Sequence, residues 1–307
     1  MSTLQKTLSA RAWLSLFVLA LIWGGSFLSV HVALEEIGFL TAVAHRTGWA
    51  MLILWGYIAW RRLPLPKDPW IWGAFFIMGL LNNVIPFSLM AWGQLHIPTG
   101  LTSILNASTA IFGVVTAAIF FADEQLTARK VIGVSLGFIG VATAIGLSAL
   151  TQFDIRSLAQ LAVIGGTLSY ALAGVWARKT MAGLTPQVAA AGMLTGSSLI
   201  AIPTAWIIEG PFTFALQPQT WAAIGYYAIV ATALAYLLYY QVLAMAGSGN
   251  LMLCTLLVAP VAIILGALVL GEALALQAYL GFGLLALGLV IIDGRLLRSL
   301  QHRTRRA

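Results

Sequence analysis

FFADEQLTARKVIGVSLGFIGVATAI (residues 120–145) and LVLGEALALQAYLGFGLLALGLVII (residues 268–292) are two copies of one pattern. A shift of 148 residues sets Glu124 on Glu272, Gly133 on Gly281 and Gly140 on Gly288, and a shift of 147 sets Trp23-Gly24 on Tyr170-Ala171. The chain is therefore read as a duplication. Each copy closes a set of five apolar segments, and because five is odd the second copy enters a bilayer upside down, with the loops of Glu124 and Glu272 on opposite faces. Such inverted repeats build transporters whose solute site lies near the midplane between the halves.

The bilayer follows from composition. Of 307 residues, 61% are hydrophobic and 8% charged, with a mean hydropathy of +0.96. A soluble globule carries about a quarter charged residues. Apolar runs cover approximately 13–30, 38–60, 70–91, 99–121, 130–147, 158–176, 186–208, 221–240, 250–270 and 276–292. The first is longer than a signal-peptide core and lacks a clear cleavage site, so it reads as a retained helix. With a cytoplasmic N-terminus, the ten spans leave Lys6, Arg11, Arg61, Arg62, Lys67, Arg129, Lys130, Arg178, Lys179, Arg295, Arg298, Arg303, Arg305 and Arg306 inside and only Arg156 outside. That separation supports both the count and the orientation. The basic excess thus reads as topology rather than nucleic-acid binding. A lone Cys254 excludes an intrachain disulfide or a thiolate metal cluster.

The order of LIWGGSF (21–27), HRTGWAMLIL (45–54), DEQLTARKVIGVSLGFIGV (123–141), LSYALAGVWARK (168–179) and GEALALQAYLGFGLLALGLVII (271–292) resembles the EamA type of the drug/metabolite transporter superfamily. Among these the chain is similar to bacterial exporters of aromatic and other amino acids. The resemblance implies an all-α polytopic membrane protein of ten transmembrane helices, two inverted five-helix repeats around a central cavity. It also implies walls mainly from spans one, three, four, six, eight and nine, cytoplasmic termini, and efflux. The expected repeats are 1–152 and 153–307, the expected location the bacterial inner membrane, and the expected partners a small-molecule substrate and lipid. No cofactor or metal is called for, and the oligomeric state is open, a monomer being compatible.

Candidate substrate-binding residues begin with a polar stripe in span four. Thr99, Thr102, Asn106, Thr109, Gly113 and Thr116 fall three or four residues apart, one above another on a helix face. Hydroxyls can bond their own helix and small residues can serve packing, but an amide near the bilayer centre needs several partners, so Asn106 marks a cavity or an interhelical contact. Its repeat mate is Cys254, and Asn250 matches Thr102. Asn82 and Asn83 are adjacent in span three, about 100° apart on a helix, so one of them should face the cavity and not both. Pro86 and Pro260 are expected to kink or break spans three and nine. Trp23, Tyr170, Tyr236 and Tyr239 are candidates for an aromatic wall, although Tyr239, Tyr240, Trp92 and Trp176 also suit an interfacial belt.

Arg46 is the one formal charge placed within a span, where it serves the site, anchors by snorkelling to the outer surface, or acts as a carbonyl-bonded brace. His31, His45 and His96 lie near outer ends and offer a route for proton coupling. No Asp or Glu lies within a span. Glu124 and Glu272 read as helix caps or gate hinges, and the Gly133/Gly137 and Gly192/Gly196 pairs as close helix contacts. The function expected is export of amino acids and similar amphipathic metabolites by alternating access, with multidrug efflux as the alternative. An intramembrane enzyme is disfavoured by the lack of an H-E-x-x-H, an acid pair or a Ser, His and acid set at membrane depth.

Overall fold

The computed structural model describes residues 8–97, 99–270 and 275–293, with the side chains of 99, 100 and 266–270 left out. Glu272, the side chain of Thr99, Lys6 and the arginines from Arg295 onward therefore lie outside the described residues. Ten helical spans run as α1 (Ala10–Leu34), α2 (Phe39–Arg61), α3 (Pro69–Gln94), α4a and α4b (Thr99–Ala107, Thr109–Phe120), α5 (Ala128–Ile145), α6 (Leu158–Thr180), α7 (Pro186–Glu209), α8 (Pro218–Ala246), α9a and α9b (Ser248–Met252, Cys254–Leu270) and α10 (Leu276–Asp293). All but α2 are apolar enough by composition to cross a membrane. At 1.5 Å per residue the 23 residues of α2 also exceed the roughly 30 Å hydrocarbon core.

Helix starts are set locally. The side chains of Ser9, Asp68, Thr127, Ser157 and Thr185 each accept a backbone N–H of the first turn they precede. Gly38 ahead of α2 has no such oxygen, and Glu209 from the end of α7 takes its place, accepting from Leu40 N at 3.0 Å and Thr41 N at 2.7 Å. At the other end of the chain, Trp13 Nε1 donates to Asp293 Oδ1 at 3.0 Å. The start of α1 and the end of α10 thus lie on one face, called here the terminal side.

Contacts between the halves come in mated pairs. α2 packs on α7 and α5 on α10, each with its own repeat mate; α1 on α9b is matched by α6 on α4, α3 on α6 by α8 on α1, and α3 on α7 by α8 on α2. A pseudo-two-fold axis relates the copies. Glycines permit its closest contact: a Cβ on Gly140 would fall 2.6 Å from Leu285 N and 2.7 Å from Gly281 O, and one on Gly133 would fall 2.7 Å from Gly288 O. Each glycine thus meets the mate of the other, as antiparallel copies require. Gly196 likewise admits Phe75 and Phe76 of α3 against α7.

Four spans are irregular, again in mated positions. α3 carries a π turn at Leu80–Val84 and α8 a longer one at Tyr226–Leu234, and Leu80 stands on Tyr227 in the 147-residue register. Span four is interrupted at Ser108 and span nine at Leu253. Pro86 follows its π turn directly: Ile85 N bonds Leu80 O, so the widened turn takes up the ring where a regular helix would clash with the Asn82 carbonyl. Pro260 lies inside α9b, and the interruption of span nine falls earlier, at Leu253.

Candidate functional site

The four irregular segments surround a cavity of about 120 Å³, several times the room one ordered water needs. Trp23, Phe27 and Val30 of α1, Ala42, Val43 and Arg46 of α2, and Met90, Ala91 and Gln94 of α3 line its upper part, which climbs toward the side opposite the termini. Asn82, Asn106, Thr109, Tyr170, Tyr236 and Tyr239 line the part near midspan, with Leu251, Met252 and Cys254 beside the α9 break. Besides the six spans expected, α2 contributes to the wall.

The aromatic wall is built edge to face. Trp23 and Tyr236 have ring centroids 6.5 Å apart at 75°, Tyr236 and Tyr239 are 5.8 Å apart at 89°, and Phe87 meets Tyr170 at 6.3 Å. Trp23 is fixed by the α8 π turn, whose Ala231 carbonyl accepts from its Nε1 at 2.9 Å. Tyr226 in the same turn donates back to Ile22 O at 2.9 Å. The widened turn thus ties α8 to α1 and orients the wall.

The polar residues divide into held and unheld groups. Asn83 is fully buried, donates to Ser197 Oγ at 2.6 Å and accepts from the Tyr236 hydroxyl, so it braces the wall from behind. Asn82, one position on, faces the cavity and donates to Met193 Sδ at 3.4 Å. Asn106 is 7% exposed and lines the cavity, and its amide makes no hydrogen bond among the described residues. The hydroxyls of Thr109, Tyr227 and Tyr239, all in the lining, are buried without a partner. Burying such groups in an apolar surround is unfavourable.

Three members of the stripe, Thr102, Gly113 and Thr116, do not reach the lining. Thr102 shares α4a with Asn106 but is fully buried and absent from the lining, whereas Thr109, just past the irregular turn at Ser108, still lines the cavity with Asn106. Thr116 bonds its own helix at Phe112 O, 2.8 Å, and Gly113 packs on Met252. Asn250 sits in α9a with Nδ2 on Ala246 O at 2.9 Å, below the cavity. Trp92 lies against His96 with the rings tilted by 42° and centroids 4.5 Å apart, and Trp176 donates to Ala74 O at 3.0 Å.

Arg46 corrects the reading of span two as an outer element. Its Nε donates to Thr232 Oγ1 at 2.9 Å, its Nη2 approaches Ala231 O at 3.5 Å, and its guanidinium carbon lies 4.0 Å from the centre of the Phe87 ring. The stem carries the charge inward to the lining rather than outward to the surface. The histidines stay away. His31 is exposed, 3.8 Å from Glu35; His96 is exposed on Trp92 O; His45 is turned from Arg46 into a box of Phe212, Phe214 and Trp221 and accepts from Trp49 Nε1 at 3.0 Å. None lines the cavity.

On the terminal side Glu124 ties the two halves together. Its buried carboxylate accepts from Ser248 N and Gly249 N, both at 2.8 Å, and from Ser248 Oγ, capping α9a from the other half. Arg178 at the end of α6 bridges Glu124 and Asp123 and lies 4.1 Å over the Phe121 ring. Gly247, at φ +85°, leaves no space for a Cβ beside that carboxylate. Sequence reading placed Glu124 at a helix end but could not identify the helix it caps.

The model of the EamA-like transporter family matches residues 10–146 and 157–293, one match in each half. A probable terminal-alkyne amino-acid exporter of Streptantibioticus cattleyicolor is 26% identical over 94% of this chain and 95% of its own. Uncharacterised transporters of Archaeoglobus fulgidus and Bacillus subtilis are 22% and 25% identical, covering 92% and 95% of the chain and 98% and 94% of their own lengths. A protein of known crystal structure shares the fold, with a TM-score of 0.77 over 95% of this chain and 99% of that one at 17% identity.

Proposed function

This chain belongs to the EamA-like transporter family, and from that premise we propose that it is a secondary transporter exporting amino acids and similar small amphipathic metabolites across a bacterial inner membrane. The observation that carries the reading is the pairing of the unbonded Asn106 amide and the unpartnered Thr109 and Tyr239 hydroxyls with a wall of Trp23, Tyr170 and Tyr236. Such a surface hydrogen-bonds the polar end of a solute and stacks on its apolar end. With cytoplasmic termini, the Glu124 seal closes the cytoplasmic side and the cavity climbs to the other, the arrangement of a release state. The halves, residues 1–152 and 153–307, would rock about their pseudo-two-fold axis to reverse it. A relative named as an amino-acid exporter is consistent with the substrate class.

Multidrug efflux is the rival. A specialist in lipophilic cations is expected to hold a carboxylate in its cavity, and the described lining has none while it does have Arg46. Counterflow in liposomes separates the two. Vesicles preloaded with unlabelled phenylalanine are expected to accumulate labelled phenylalanine at least about tenfold over protein-free vesicles. Exchange of ethidium with no exchange of any amino acid would support the rival.

A further inference from the structure

We infer that the cavity recognises its solute through a carboxylate held by Arg46 and does not require an ammonium group, so that aryl and branched carboxylates without an amine are cargo as well. The inference rests on the export reading above and names what that site selects. Arg46 is fixed for such a task. Thr232 spends its own proton on Tyr227 O at 2.7 Å, five residues back in the π turn, which leaves its oxygen free to receive Arg46 Nε. Phe87 supports the guanidinium face.

Everything Arg46 meets is neutral. No ion pair involves it among the described residues, its partners are a hydroxyl, a carbonyl and a ring, and Nη1 makes no hydrogen bond. A charge kept at this depth without a counter-anion is unfavourable unless something supplies one. A guanidinium edge suits a planar oxyanion, and charge-assisted bonds of this type are about twice as strong as neutral ones. An ammonium has no such counterpart. The lining offers it amide and hydroxyl oxygens and aromatic faces but no Asp or Glu.

The test is calorimetric titration of the purified full chain in detergent with phenylalanine, 3-phenylpropionate and phenethylamine, for wild type, Arg46→Gln and Arg46→Lys. For wild type, 3-phenylpropionate should bind within about threefold of phenylalanine, and phenethylamine at least about tenfold more weakly, as loss of one partner of a buried charge pair implies. R46Q should erase that preference, and R46K should keep its direction. A brace without a binding role would lower stability and leave the ratio unchanged. Phenethylamine binding as well as 3-phenylpropionate, or an unchanged ratio in R46Q, overturns the inference. If R46Q cannot be purified, the wild-type comparison decides alone. Absence of binding by all three, with counterflow of another solute intact, overturns this inference and leaves export standing; absence of any counterflow removes both.

Discussion

Replacing Glu124 by alanine is expected to destabilise the protein by about 3–5 kcal/mol and to abolish vectorial transport. The carboxylate is 1% exposed and carries the Ser248 and Gly249 amides together with Arg178, whose side chain is itself only 16% exposed. Truncation leaves Arg178 with Asp123 as its one remaining carboxylate partner among the described residues, strands two helix-start N–H groups, and detaches α9a from the loop before α5. Since α9a belongs to one half and Glu124 to the other, the same loss loosens the terminal-side seal. Glu124→Gln keeps an acceptor for α9a but gives up the charge facing Arg178, and should fall between. Thermal unfolding in detergent, followed by intrinsic fluorescence, reads the first effect and vesicle counterflow the second. An alanine variant within about 1 kcal/mol of wild type, transporting normally, would show that the seal lies elsewhere.

Tyr236→Ala should reduce counterflow at least about tenfold and cost about 3–5 kcal/mol, the range for removing a buried aromatic ring. Its ring touches Trp23 and Tyr239 edge-on, and its hydroxyl occupies Asn83 Oδ1, which would be left buried and unpaired. Tyr236→Phe separates the two contributions. It keeps the wall and loses one hydrogen bond, about 1–3 kcal/mol when the partner stays buried, so transport should remain within about threefold of wild type. Asn106→Ala leaves no stranded partner, because the amide makes no hydrogen bond among the described residues. It should therefore lower transport with little change in stability. Full activity in both alanine variants would remove the cavity from the transport route.

The fold was legible because its strongest constraints are tied to residue type. Gly133, Gly140, Gly281 and Gly288 recur at one spacing because backbone meets backbone there, and no larger side chain fits. Charge separation across the loops records topology in the same direct way. The π turns left no such mark. Leu80–Val84 stands out by its two asparagines and Tyr226–Leu234 by its tyrosines and Thr232, but neither composition specifies a widened turn.

The site was legible only in part for the same reason. Asn106 and Thr109 could be chosen from their polarity in an apolar run, but the same periodicity also chose Thr102, which shares the Asn106 segment and is fully buried away from the lining. Adjacent Asn82 and Asn83 were expected to divide between cavity and core. Their partners give Asn83 to the core. Arg46 was ambiguous because a long stem can turn either way, and the Thr232 oxygen that draws it inward exists only where the α8 turn widens. The unpartnered hydroxyls of Tyr227 and Tyr239 carried no signal at all, since satisfaction is a property of neighbours and not of sequence.

Cys254, the sole cysteine, lies in the cavity lining at the α9 break and is 1% exposed. The rate at which methyl methanethiosulfonate modifies this thiol, with and without a saturating transported amino acid, tests most directly whether solute occupies the space between the halves. Slow modification, slowed at least about threefold further by the amino acid, is the predicted result. An unchanged rate in the presence of a solute that the same protein transports would contradict the account.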